Sequence, residues 1–262
     1  MGFEDTYVDA WLYSDHQRYF FFQVGDTGVR SALFHLLAVP STVGAPLSNP
    51  SPSPDPNPNQ QLSTVGALLQ LVLLLVGALS KSAIFPFHFW LPGAMAAPTP
   101  VSAYLHAAAM VKAGIYLVAV LAPVFAENPA WHPIVIGLGG FTMLLGGWQA
   151  LRETDLKRLL AYGTVSQLGF LMVVLGYGTQ DAALAGLALL LSHALFKSAL
   201  FLVVGIIDHQ LSTRDLREIS GLGRQAPALA TAAIVSIASM VGIIPTVGFV
   251  AKEGALAALL DE

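Results

Sequence analysis

From Leu62 onward the chain alternates long apolar blocks with short polar connections, and the blocks cover about residues 62–85, 100–122, 132–150, 159–176, 183–207 and 227–250. Each has about the 20 residues that ~30 Å of hydrocarbon requires of a helix rising 1.5 Å per residue. The pattern predicts an all-α integral membrane fold with about six transmembrane helices. Two of them are predicted to be interrupted. The first block runs into Pro86 and Pro92, and the sixth carries Gly242, Pro245 and Gly248 just before Lys252. Broken helices free backbone groups, which a membrane tolerates only inside protein or beside a wet cavity.

Residues 1–60 do not follow this pattern. The run WLYSDHQRYFFFQV mixes aromatic and polar positions, and the apolar run from Ser31 to Pro40 is too short to span. Residues 1–48 therefore read as a poorly defined, non-spanning segment. Residues 49–61, NPSPSPDPNPNQQ, hold five prolines, which fix φ and remove donors, and read as an extended linker.

Composition agrees with a membrane chain: 262 residues, 55% hydrophobic and only 11% charged, where soluble domains carry about 25%. The net charge of −4 argues against a nucleic-acid partner. Without cysteine, disulfides, Fe–S clusters and thiolate metal sites are excluded. The N-terminus MGFEDTYVDAW has acids in place of a basic region and does not read as a signal peptide. If the spans alternate, the loops after the first, third and fifth hold Arg152, Lys157, Arg158, Arg214, Arg217 and Arg224, whereas those after the second and fourth hold no Lys or Arg. The positive-inside rule puts the first set in the cytoplasm, and residues 1–61 and the C-terminus on the outer face. Asp155, Lys157 and Arg158 read as loop charges that set topology.

Charged residues inside such blocks are costly and mark function by default. Lys81 follows nineteen uncharged residues, Leu62 to Ser80, and reads either as a lysine snorkelling to an interface or as a proton switch. No Asp or Glu occurs between Asp55 and Glu127, so a carboxylate partner is not visible nearby. His106 lies in the second block. His193 and Lys197 lie in the fifth at i, i+4, on one helical face, and suit a relay of donors and acceptors. Lys112 is six residues beyond His106, about 240° round the helix, and points elsewhere. Lys252 is either buried or interfacial, depending on whether its helix continues. Ser166 and Gln167 are candidates for hydrogen bonds between helices. The sequence has no HExxH, Walker A or dinucleotide motif, which argues against a soluble-type enzyme.

Four stretches, KSAIFPFHFWLPGAMAAPTPVSAYLHAAAMVKAGIYL, DLKRLLAYGTVSQLGF, SHALFKSALFLVVGIIDH and PTVGFVAKE, resemble the antiporter-like subunits shared by respiratory complex I, membrane-bound hydrogenases and Mrp cation/proton antiporters. The resemblance covers about residues 62–262. FPFHFWLP, MVKAGIYL and GIIDHQLSTRDLREISGL are most similar to the large A-type subunits of Mrp antiporters. The resemblance implies the middle-to-C-terminal part of an inverted-repeat fold. It implies a proton relay of Lys81, His106, His193, Lys197 and Lys252, with Lys112 as a further candidate. No cofactor is implied. The implied function is Na⁺/proton antiport by a multi-subunit complex in the cell inner (plasma) membrane. Lys81 is expected to work with a carboxylate on a helix outside this chain, and the chain is expected to be a fragment, a split gene product or a truncated form of a longer polypeptide. Alternatives are a proton-pumping component of complex I or a hydrogenase, and a degenerate membrane scaffold.

Overall fold

The computed structural model describes residues 58–107 and 110–260, apart from the side chains of most of residues 58–70 and of 105–107. The segment 1–48 and the prolines before Pro58 lie outside the described residues. The chain divides into two compact units, Met1–Ser80 and Lys81–Glu262. In the first, helix α1 (Pro58–Lys81) begins inside the stretch read as linker and stops before the expected residue 85.

The second unit is all helix among the described residues. A short helix α2 (Trp90–Gly93) lies between two 3-10 turns. Then come α3 (Thr99–Ala107), α4 (Met110–Phe125), α5 (Trp131–Ala150), α6 (Leu156–Gly176) and α7 (Gln180–Leu211). The short α8 (Leu222–Gln225), α9 (Pro227–Val241) and α10 (Val247–Leu260) complete it. Helices α5, α6 and α7 are long and apolar enough to cross a membrane; α4 and α9 are shorter apolar helices.

Helix α7 is apolar on every side, which makes it a central element. It packs against α3, α6, α9 and α10. Thr179 caps its start, and Ser212 ends it in the left-handed conformation with φ 52°. Its 32 residues exceed the expected 183–207 at both ends. Helix α6 is likewise capped by Asp155, whose side chain accepts from the Arg158 amide at 3.0 Å.

Helices α5 and α6 form the tightest pair. A methyl group added at Gly169 would lie 2.5 Å from both the Gly139 carbonyl oxygen and the Met143 amide nitrogen. In lipid, where apolar side chains gain little by leaving their surroundings, such close backbone approach drives association. Ser166 adds a hydrogen bond across the pair, to the Met143 carbonyl at 2.9 Å. Gln167 Oε1 has no hydrogen-bond partner among the described residues.

The two interruptions fall where prolines and glycines stand. After Lys81 the backbone turns through Ala83, at φ 51°. The Ser82 hydroxyl donates to the Val111 carbonyl of α4 at 2.7 Å, and the Phe85 amide donates to Thr142 Oγ1 of α5 at 3.0 Å. The second break lies between Val241 and Val247, where Gly242 takes φ 89°. There Gly248 meets the Ser239 carbonyl so closely that any side chain would overlap it.

The connecting segments gather at two ends of the unit. At one end, residues 152–156 join residues 214–216: the Leu156 amide donates to the Arg214 carbonyl and the Leu216 amide to the Thr154 carbonyl, each at 3.0 Å. Arg214 also pairs with Asp155 at 3.5 Å and Asp208 at 3.8 Å. At the other end, Trp131 Nε1 donates to the Gly176 carbonyl at 2.7 Å. The basic loops share the first end.

Gly169→Ala is expected to destabilise the α5–α6 pair by about 1–3 kcal/mol, the usual cost of forcing extra atoms into a packed contact. A lowered melting temperature of the purified protein, with Gly137→Ala unchanged because that position faces open space, is the readout.

Candidate functional site

Among the described residues of the second unit, four lysines turn their amines onto carbonyl oxygens of segments other than their own. Lys197, on α7, is fully buried. Its Nζ donates to the Leu160 carbonyl of α6 at 2.9 Å, and the same oxygen accepts the Thr164 hydroxyl at 2.9 Å. Gly163 makes room for the ammonium: a methyl group there would lie 3.0 Å from Nζ and 3.4 Å from Met240 Cε. A mid-helix glycine costs helix stability of about 1 kcal/mol against alanine, and here the missing side chain is the space that the amine uses.

His193 stands one turn before Lys197 and is also fully buried. Its ring meets Phe196 edge to face at 5.4 Å between centroids. Lys112, on α4, reaches α7 from the other direction, and its Nζ donates to the Leu190 carbonyl at 3.3 Å. Leu190, His193 and Lys197 follow one another at helical spacing on one side of α7. The sequence set Lys112 apart by its angle from His106, and the structure brings it to the His193 stretch instead. His106 lies on α3, but its side chain is outside the described residues.

Lys252, on α10, is half-buried. Helix α10 continues to Leu260, so Lys252 does not end its helix. Its Nζ donates to the Met240 carbonyl at 2.6 Å and the Val241 carbonyl at 3.3 Å. Those are last-turn carbonyls of α9, which lack partners within the helix and carry the negative end of its dipole. The lysine thus closes the second break by capping the half-helix before it.

Lys157 corrects the reading of its stretch as loop charge. It sits in the first turn of α6, 2% exposed, with Nζ donating to the carbonyls of Ala97 at 2.7 Å and Met95 at 3.5 Å. It therefore holds the end of the first broken segment. A cleft of about 420 Å³ opens beside it, lined by Phe89, Met95, Asp155, Arg158, Tyr162 and Arg214 among others. Arg158 pairs with Glu153 at 3.0 Å, so each positive group of the rim has an acid beside it. Lys81 is half-buried at the start of the first break, and no described residue gives its side-chain amine a hydrogen bond or an ion pair.

Lys157, Gly163 and Met240 are the residues sequence reasoning missed. Lys157 carried only the signal of a charge beside a helix cap. Gly163 and Met240 are ordinary apolar positions whose meaning depends on a distant neighbour.

A sequence model of the family described as "NADH:quinone oxidoreductase/Mrp antiporter, TM" matches residues 25–262, reaching further back than residue 62. The A-type subunit of a Na⁺/H⁺ antiporter from Alkalihalophilus pseudofirmus is 48% identical over 204 residues, covering 72% of this chain and 25% of its own length. The A/B-type subunit of a probable K⁺/H⁺ antiporter from Rhizobium meliloti is 54% identical over 184 residues, covering 70% of this chain and 18% of its own. Among solved structures, a chain of an Mrp complex from Dietzia sp. matches 90% of this chain with a TM-score of 0.77 and 41% identity, over 26% of its own length. The chain thus spans about a quarter or less of the curated relatives it matches.

Lys157→Met removes the donor from two carbonyls, and stability of the protein is expected to fall by about 1–3 kcal/mol, read as a drop in melting temperature. The seam beside it has its own pH signature. Asp215 is hydrogen-bonded by Arg217, which lowers its carboxyl pKa to about 2. A lowered acid pKa contributes stability above the ordinary carboxylate range and loses it as pH falls toward that value. Protection of the Leu216 amide, corrected for intrinsic exchange, is therefore expected to stay constant from neutral pH to about pH 4, and Asp215→Asn to lower it throughout that range.

Proposed function

This chain belongs to the NADH:quinone oxidoreductase/Mrp antiporter transmembrane family, and we propose that it carries the lysine and histidine part of a proton relay in the A-type subunit of an Mrp monovalent cation/proton antiporter. It works with the other subunits of a membrane complex, in the plasma membrane, with residues 1–61 and the C-terminus on the outer face. Lys81, His106, His193, Lys197 and Lys252 are the relay positions, with Lys112 beside His193. Lys81 pairs with a carboxylate supplied from beyond the described residues. Na⁺ is the cation taken first, after the A. pseudofirmus relative.

One observation carries this reading: Lys197 is wholly buried, and the oxygen that accepts from its amine is a neutral carbonyl. A packing lysine would reach water or an acid, since an uncompensated ammonium in a dry interior is costly. An amine that gives its proton to water and later recovers it has a use for such a place. Lys252 on the α9 carbonyls and Lys112 on α7 extend the series on both sides of His193 and Lys197. The meeting of the basic loops at one end supports the topology.

The family also includes redox-driven complexes, and a chain of a membrane-bound sulfane sulfur reductase matches 92% of this chain with a TM-score of 0.73 at 25% identity, over 47% of its own length. Co-purification with Fe–S or flavin subunits would favour that second reading.

Everted membrane vesicles carrying the assembled complex provide the test. Lys197→Ala and Lys252→Ala are each expected to cut Na⁺-driven proton movement about tenfold or more, a loss of at least ~1.4 kcal/mol from the transport barrier. Full transport in Lys81→Ala and Lys197→Ala complexes of normal assembly sinks the relay. Repeating the assay with K⁺ identifies the cation.

A further inference from the structure

Met240 meets Lys252 through its carbonyl and borders the space beside Gly163 with its side chain. Its carbonyl oxygen accepts from Lys252 Nζ at 2.6 Å. Its side chain turns the other way, and its Cε lies 3.4 Å from the point beside Gly163 that is 3.0 Å from Lys197 Nζ. Gly163 lends no side-chain atoms to that space, and the end of the Met240 thioether borders it. Met240, itself partly buried, packs on the apolar cluster that includes Leu160, Phe196 and Leu200.

Methionine suits such a place. Three rotatable bonds let it leave and return at small cost, and its sulfur is a weak acceptor with no proton to give. It can block a proton path but cannot be a station on one.

We propose that Met240 is a positioning residue of the relay, an apolar gate between Lys197 and Lys252. With the thioether in place, no water joins the two amines. When it swings aside, water enters beside Gly163. An N–H bond of the Lys197 ammonium breaks, the water takes that proton and passes one of its own to the lone pair of a neutral Lys252 amine. One amine is charged and one neutral both before and after. The gate is coupled to its outcome, because the residue that swings is the one whose carbonyl Lys252 holds. This inference rests on the relay reading above.

Vesicles carrying the complex with Met240→Ala, Met240→Gln, Met240→Leu or Met240→Phe test it. The readouts are proton leak without cation and cation-driven proton movement. Met240→Ala is expected to raise the leak about tenfold, equivalent to ~1.4 kcal/mol off the barrier, while reducing protons moved per cation. Met240→Gln, close in length but polar, leaks in the same way if the alanine variant assembles poorly. Met240→Phe slows both readouts, and Met240→Leu stays near wild type. Adding Lys252→Ala to Met240→Ala is expected to abolish the extra leak. A purely structural role would slow transport in every variant and open no leak, which would overturn the gate. So would a leak that survives loss of Lys252. Should Lys197→Ala and Lys252→Ala complexes keep full antiport, the relay itself fails; should they be inactive while every Met240 variant behaves as wild type, only the gate does.

Discussion

An ammonium taken out of water must find oxygen, and in the second unit it finds backbone carbonyls. Lys112, Lys157, Lys197 and Lys252 each donate to a carbonyl on a different segment from their own. A carboxylate would fix such a charge with a full counter-charge, whereas a carbonyl offers only a dipole. The contact orients the amine without adding a counter-charge. The arrangement also satisfies both sides, because the Met240 and Val241 carbonyls at the end of α9 have no partner within the helix.

The same contacts explain how the breaks are tolerated. The first is tied to α4 and α5 through Ser82 and Phe85 and to α6 through Lys157. The second is tied across itself by Lys252 and by the amide of Gly248, which donates to Ser239 Oγ at 3.2 Å. Irregular backbone at membrane depth needs such partners, and here side chains with a functional reading supply several of them. Packing and the proposed relay therefore draw on one set of atoms.

Much of this could be read from the chain alone, for definite physical reasons. Apolar block length located α5, α6 and α7 because hydrocarbon thickness sets it, and proline with glycine located both interruptions because they cannot continue a hydrogen-bonded helix. The i, i+4 spacing put His193 and Lys197 on one face. Tertiary partners were not legible. Nothing local says that Lys157 turns inward to Ala97, that Gly163 faces an amine, or that the Met240 carbonyl takes up Lys252. The first helix ends at Lys81 and not at residue 85 because the Ser82 and Phe85 groups bond to other helices, a choice that apolar patterning does not encode.

Helix α7 is 32 residues long, about 48 Å at 1.5 Å per residue, well beyond the ~30 Å of hydrocarbon. Lys197 is its eighteenth residue, so about 25 Å of helix lies on one side of it and about 21 Å on the other. The amine is nearly equidistant from the two ends, and distance along the helix gives a proton no preferred way out. For the proposed relay, direction then has to come sideways, from what the helices around α7 let approach, across its long axis.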